Sequence, residues 1–272
     1  MIDTHCHLDA AEFDADRDAV IARAGVAGVE TLIVPAIEKG NWQAVRELAE
    51  HRSRDDDAGP QILFALGIHP LRVEQAQDED LDALRDAVSH ARSSPRFVGI
   101  GEIGLDHFVE GLDRERQLRF FVTQLRIARD FDLPVILHVR RAVDTVAREL
   151  RRLRPVGGIA HAFNGSEQQA SAMIELDMAL GFGGASTFTR ARNLRRLAAS
   201  LPIESLVLET DSPDIPPAWL APGRNEPEAL AGIASEIAKL RGIEVQHLTR
   251  QTSANARRVL GIPAGAETGA RP

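Results

Sequence analysis

A chain of 272 residues, 44% of them hydrophobic, can bury one large core, and its length suits either two ordinary domains or one α/β barrel. A net charge of −8 argues against a general nucleic-acid coat while leaving room for a local basic patch. Cys6 is the only cysteine, which excludes an internal disulfide; with no apolar run long enough to span a bilayer and a strand where a signal peptide would lie, the expected location is the cytoplasm, with no membrane partner.

The chain opens on Met1-Ile-Asp-Thr-His-Cys-His7. Read as a short strand, this segment puts His5 and His7 on one face and turns Cys6 to the other, where it packs. Two imidazoles converging on one point form half of a divalent-metal site, so the remaining ligands must come from elsewhere. Seven further apolar runs follow, at residues 31–37, 62–69, 98–106, 134–139, 157–163, 178–185 and 206–211. Polar segments of helical period lie between them. Over residues 113–131 the positions Leu118, Phe121, Val122 and Leu125 form an apolar stripe behind Asp113 as cap, and Leu230, Ile233, Ala234 and Ile237 repeat the pattern. Eight strands alternating with helices predict an α/β fold, a closed (β/α)₈ TIM barrel, as one domain over residues 1–262. A charged loop at 53–60 and a disordered tail at 263–272 complete the expectation. An open doubly wound sheet is the alternative, but no Gly-x-Gly-x-x-Gly follows the first strand.

In such a barrel the C-terminal strand ends form the active face, so polar residues there carry functional weight. Ile100 and Glu102 alternate onto one face; with Ile100 filling the interior, Glu102 emerges at the rim. Ile136 with His138 and Ile159 with His161 follow the same rule, and the last run ends at Asp211. Four histidines and two carboxylates thus arrive late in strands one, four, five, six and eight.

The stretches Asp3-Thr-His-Cys-His-Leu-Asp9, Gly67-Ile-His-Pro70, Gly101-Glu-Ile-Gly-Leu-Asp106, Leu133-Pro-Val-Ile-Leu-His138, His161-Ala-Phe-Asn-Gly165 and Glu209-Thr-Asp-Ser-Pro213 resemble the TatD-type metal-dependent deoxyribonucleases. The resemblance continues through Arg224-Asn-Glu-Pro227 to the last helix. It implies an amidohydrolase-like barrel, one or two divalent metals, and hydrolysis of phosphodiester bonds in DNA. Two departures stand out. Ala162 and Asn164 replace the usual Cys and Ser of the sixth-strand motif, and His107 stands where an aromatic residue is frequent. Both spare the ligands and bear on substrate fit.

With that resemblance, His5, His7 and Asp211 would hold one metal, His138 and His161 a second, and Glu102 would bridge them. Two such cations activate a water and polarise the phosphate, and Asp211 is the expected general base, with Glu102 its catalytic companion. The mixed His and carboxylate set suits Zn²⁺ or Mn²⁺, and Mg²⁺ is compatible because it needs few protein oxygens. Around the ligands, Glu209 would either orient a histidine ring or pair with a core arginine. Arg140, His69 and Arg224 are expected to contact substrate, Arg140 through a phosphate. Gly181, Gly183 and Gly184 would clear the rim of the seventh strand for a large substrate or permit a tight turn. The expected partner is DNA, as single strands or ends, and no stretch points to an obligate protein partner. A barrel of the same kind cleaving a C–N or lactone bond is the alternative. Many such enzymes bridge their metals with lysine, and the only lysines, Lys39 and Lys239, read as remote from the strand ends. A non-catalytic binding barrel is disfavoured by the full ligand set.

Overall fold

The computed structural model describes residues 1–51 and 59–263. Apart from Gly59, Pro60 and Pro263, the loop and tail expected at 53–60 and 263–272 lie outside the described residues. Eight parallel strands run in chain order: β1 (Ile2–Asp3), β2 (Thr31–Pro35), β3 (Gln61–Leu66), β4 (Phe97–Asp106), β5 (Val135–Arg140), β6 (Gly158–Ala160), β7 (Met178–Phe182) and β8 (Leu206–Leu208). Each pairs with the next. The ring closes where Thr4 N donates to Leu208 O at 3.0 Å, Asp211 N to His5 O at 2.8 Å and His7 N to Ser212 O at 2.7 Å. The fold is the (β/α)₈ barrel, and its closing seam runs beside the first two histidines. No described helix is long and apolar enough to cross a membrane.

Helices α1 (Arg17–Val26), α2 (Trp42–His51), α3 (Glu79–Ala91), α4 (Arg114–Asp130), α5 (Val143–Leu153), α6 (Glu167–Ile174), α7 (Arg192–Ser200) and α8 (Leu230–Arg241) follow the strands. A ninth, α9 (Val245–Leu260), lies beyond the eightfold pattern. One apolar cluster takes at least one residue from every strand: Ile2, Ile33, Leu63, Ala65, Val98, Ile136, Ile159, Ala179 and Val207, with Ala256, Leu260 and Ile262 beneath. This is the barrel interior, and α9 plugs its floor. Asn255 of α9 donates to the carbonyls of Ile203 and Leu206 at 2.7 and 2.8 Å, which pins the plug to the base of β8.

Ile136 and Ile159 fill the interior as expected, but Ile100 does not. Val98 takes the interior place on β4, whereas Ile100 belongs to the outer core between strands and helices. The reason is a double slip of register, once against β3 between Phe64 and Ala65 and once against β5 between Ile100 and Ile103. Each irregularity breaks the period of two. Glu102 therefore reaches the mouth of the barrel through a distorted strand.

Helix α4 starts where Asp113 accepts from Glu115 N and Arg116 N, the cap expected. Its buried face is rotated from the predicted stripe: Phe121 and Leu125 are buried, Leu118 and Val122 only partly, and Phe120 and Ile127 join the core. Two glutamines share that face because strand ends beneath it need partners. Gln117 accepts from Asp106 N at 3.1 Å. Gln124 accepts from Ile68 N at 2.7 Å and donates to Ile68 O at 3.0 Å, fixing the backbone next to His69. A Gln124→Leu variant would strand both buried groups of Ile68 and is expected to lose about 2–5 kcal/mol of stability in urea unfolding.

Candidate metal centre

Glu102 stands at the centre of the barrel mouth with its side chain 2% exposed. Its two oxygens face different histidines. Oε2 lies 3.1 Å from His5 Nε2 and 3.5 Å from His7 Nε2. Oε1 lies 2.8 Å from His161 Nε2 and 3.1 Å from both His138 Nδ1 and His69 Nε2. Asp211 Oδ1 completes the first set at 3.7 Å from His5 and 3.6 Å from His7. His5 and His7 bring their Nε2 atoms within 3.3 Å of one another, as do His161 Nε2 and His138 Nδ1.

Two ring nitrogens that both turn a lone pair toward one point repel unless a cation or a shared proton lies between them. Ligands about 2.0–2.1 Å from a tetrahedral Zn²⁺ stand roughly 3.3 Å apart, and the distances above cluster around that value. Among the described residues, three groups could hold a cation: His5, His7 and Glu102; His5, His161 and Asp211; His69, Glu102 and His138. The donor set therefore fits a divalent metal. All six expected ligands meet here, although only Glu102 and His138 lie inside paired strands; His5, His7, His161 and Asp211 lie just past strand ends.

His69 is within reach but is held as a donor. Its Nδ1 accepts from Leu71 N at 3.1 Å, so in the neutral ring the proton sits on Nε2, which points at Glu102 Oε1. A ring so arranged gives a hydrogen bond instead of a lone pair. His69 thus steadies the central carboxylate on the side facing His138 and His161.

Burial works to raise the Glu102 carboxyl, yet His69, His161 and His5 together hold it well below the usual carboxylate range. Burial also opposes charge on His161, and Glu102 overcomes it, raising that imidazole to about 10. His5, wholly buried and stacked on His161, is pushed well below the ordinary imidazole value. A nest that concentrates protons on some rings and bare lone pairs on others is one in which a cation can displace protons. His7, His138 and Asp211 remain partly open and form the solvent-facing side of the cluster.

Asp106, outside the set of site residues the sequence predicts, supports the ligands. Its Oδ2 lies 3.0 Å from His138 Nε2, which leaves Nδ1 to face Glu102. Burial would raise this carboxyl, but the His138 contact and the N–H groups of Val109 and Phe108 hold it below its ordinary value. A carboxylate bonded to the far nitrogen of a ligand histidine fixes both its tautomer and its orientation. Asp3 does related work on the backbone. It accepts from Thr210 N at 3.0 Å, Thr210 Oγ1 at 2.6 Å and His5 N at 3.3 Å, tying β1 to the segment before Asp211.

Glu209 accepts from Ala162 N and lies 4.0 Å from His161 Nδ1, with no arginine beside it among the described residues. Burial pushes its carboxyl up to about 8. Its place explains two of the glycines: a Cβ on Gly181 would fall 2.1 Å from Glu209 Oε2, and one on Gly183 would fall 2.9 Å from Glu209 O. A Cβ on Gly184 would meet Ile215 O at 2.2 Å. Gly181 and Gly183 thus make room for Glu209 and Gly184 for the backbone of Ile215, a packing need beside the two expected, a cleared rim or a tight turn.

The remaining candidates divide. Arg140 is half exposed beside the site, its Nη1 3.9 Å from Asp106 Oδ2. Arg224 is spent on the chain itself: it donates to Asp16 Oδ1 and Oδ2 at 2.8 Å, to Glu226 Oε1 at 2.6 Å and to Glu12 O at 2.6 Å. That fork ties the loop after β8 to the segment before α1, a packing role in place of the substrate contact expected. Lys39 lies four residues past β2, nearer a strand end than expected, but its ammonium bonds Asp80 at 2.8 Å. No lysine enters the cluster.

The model of the TatD-related DNases matches residues 2–261. The chain belongs to the TatD family. It is 38% identical over 264 residues to the uncharacterized metal-dependent hydrolase YjjV of Escherichia coli K12, covering 97% of this chain and 98% of that protein. It is 34% identical over 272 residues to the 3'-5' ssDNA/RNA exonuclease TatD of Citrobacter koseri, covering 96% and 99%. The crystal structure of the E. coli TatD homolog YjjV superposes with a TM-score of 0.89 at 37% identity, covering 97% and 98%. This TatD protein is accordingly a metal-dependent hydrolase. Asp106→Asn keeps the shape of the His138 partner and removes its charge; metal affinity in chelator competition is expected to fall about 10- to 100-fold, with the fold intact by circular dichroism.

Proposed function

We propose that the protein is a nuclease that hydrolyses phosphodiester bonds of DNA, as single strands or at ends, on two divalent cations. The observation that carries the reading is the division of Glu102, whose two oxygens face separate sets of ligands. His5, His7 and Asp211 would hold one cation, His138 and His161 the other, and Glu102 would touch both. When bound, such a pair supplies Lewis acidity for the phosphoryl oxygen and lowers the pKa of a water. The nitrogen-rich set favours Zn²⁺ or Mn²⁺ over Mg²⁺.

The chain's own groups do the rest. Asp211 accepts the proton of the attacking water, being a carboxylate on the open side of the cluster. Burial raises its carboxyl above the ordinary carboxylate value when no cation is bound. His69 offers its Nε2–H to Glu102 or to a phosphoryl oxygen that comes within its reach. Arg140, anchored only loosely to Asp106, presents a guanidinium fork to phosphate. The name of the C. koseri relative supports a nucleic-acid substrate.

Elemental analysis after mild metal loading is expected to find two divalent ions per chain, falling to one in His138→Ala; one tightly held ion that His138→Ala leaves in place would overturn the pair. Asp211→Asn retains a ligating oxygen but loses the base, so turnover of an oligonucleotide should drop about 10²–10⁴-fold while the oligonucleotide still binds. Cleavage by Asp211→Asn near the wild-type rate would remove that residue as base. A wild type that ignores DNA but opens a lactone or an amide would keep the centre and change the substrate class.

A further inference from the structure

The rim beside the metal centre carries an aromatic side chain that core packing does not account for. Phe108, two residues past Asp106, is 43% exposed. A single exposed apolar residue is ordinary; the company this one keeps is not. The guanidinium carbon of Arg140 lies 3.7 Å from the ring centroid and that of Arg141 lies 4.6 Å away. Neither is neutralised closely: the carboxylate beside Arg140 is at 3.9 Å, and Arg141 has no side-chain ion pair among the described residues. In a chain with a net charge of −8, two such cations stacked on one ring form a local patch of opposite sign.

The patch is fastened to the metal centre. Phe108 N and Val109 N donate to Asp106 Oδ1 at 2.8 and 3.0 Å, while Asp106 Oδ2 receives His138 Nε2 at 3.0 Å. One buried carboxylate thus sets both the ring and a metal-facing histidine. An arene and guanidinium planes offer stacking surface, and guanidinium N–H groups meet phosphate oxygens. A base within a duplex has both faces covered by its neighbours, so this surface selects an unpaired one.

We propose that Phe108, with Arg140 and Arg141 against it, is a stacking platform for one unpaired nucleobase of the substrate and sets the adjoining phosphate at the metal centre. The proposal rests on the nuclease reading above. KM and kcat are measured on single-stranded oligothymidylate and on a series in which one position at a time is abasic, with metal content and melting temperature taken on the same preparations. Phe108→Ala and Phe108→Leu are expected to raise KM about 5- to 150-fold with metal content unchanged, and Phe108→Trp to restore it. One abasic position should raise the wild-type KM and have no further effect in Phe108→Ala. If the wild type cleaves but Phe108→Leu matches it, or no abasic position matters, the platform is wrong and the nuclease stands. If the wild type neither binds nor cleaves the oligonucleotide, the nuclease reading falls and the platform with it.

Discussion

A carboxylate with 2% of its side chain exposed, ringed by five histidines within 3.5 Å, governs the architecture at the mouth of this barrel. A buried anion is costly unless its charge is met at close range. Glu102 meets that condition only because the C-terminal ends of β1, β3, β5 and β6 bring their histidines to β4, which carries it. Any cation in this place is held by the same convergence. The barrel supplies it by closing β8 on β1 through the backbone bonds of Thr4, His7 and Asp211, beside the first ligands. Stability of the seam and geometry of the site are therefore one problem.

Around that centre, orientation is delegated to polar groups that have no direct part in the chemistry. Asp106 sets His138, Leu71 N sets the tautomer of His69, and Asp3 sets the backbone of His5 and Thr210. Glu209 lies beneath His161 in space left by Gly181 and Gly183. Each is a hydrogen bond or a volume that restricts one side chain to one pose, and preorganisation of this kind keeps ligands in place before a cation or a substrate arrives. The helices share the task, since Gln117 and Gln124 of α4 satisfy strand-end backbone that the barrel alone leaves open.

Charge is distributed to match. The chain is acidic overall, and much of its arginine complement is consumed internally, as the fork of Arg224 on Asp16 and Glu226 illustrates. Arg140 and Arg141 are spared that fate and stand at the open side, against Phe108.

The eightfold alternation, the barrel and the identity of six polar residues near strand ends were all legible in the chain, because period and residue type are local properties read within a few positions. His5 and His7, two apart beside the first strand, and the isoleucines before His138 and His161 encode their facing directly. Other features depended on contacts between residues distant in sequence. The slips of register that send Ile100 outward, the glutamines on the buried face of α4 and the helix that plugs the floor answer to neighbouring strands. So do the donor state of His69, the glycines that house Glu209, and the internal engagement of Arg224. Pairing register, hydrogen-bond satisfaction and free volume are properties of the assembled barrel. Local sequence named the groups that meet at its mouth, and tertiary structure alone decided which ones bear the central charge and which hold the others still.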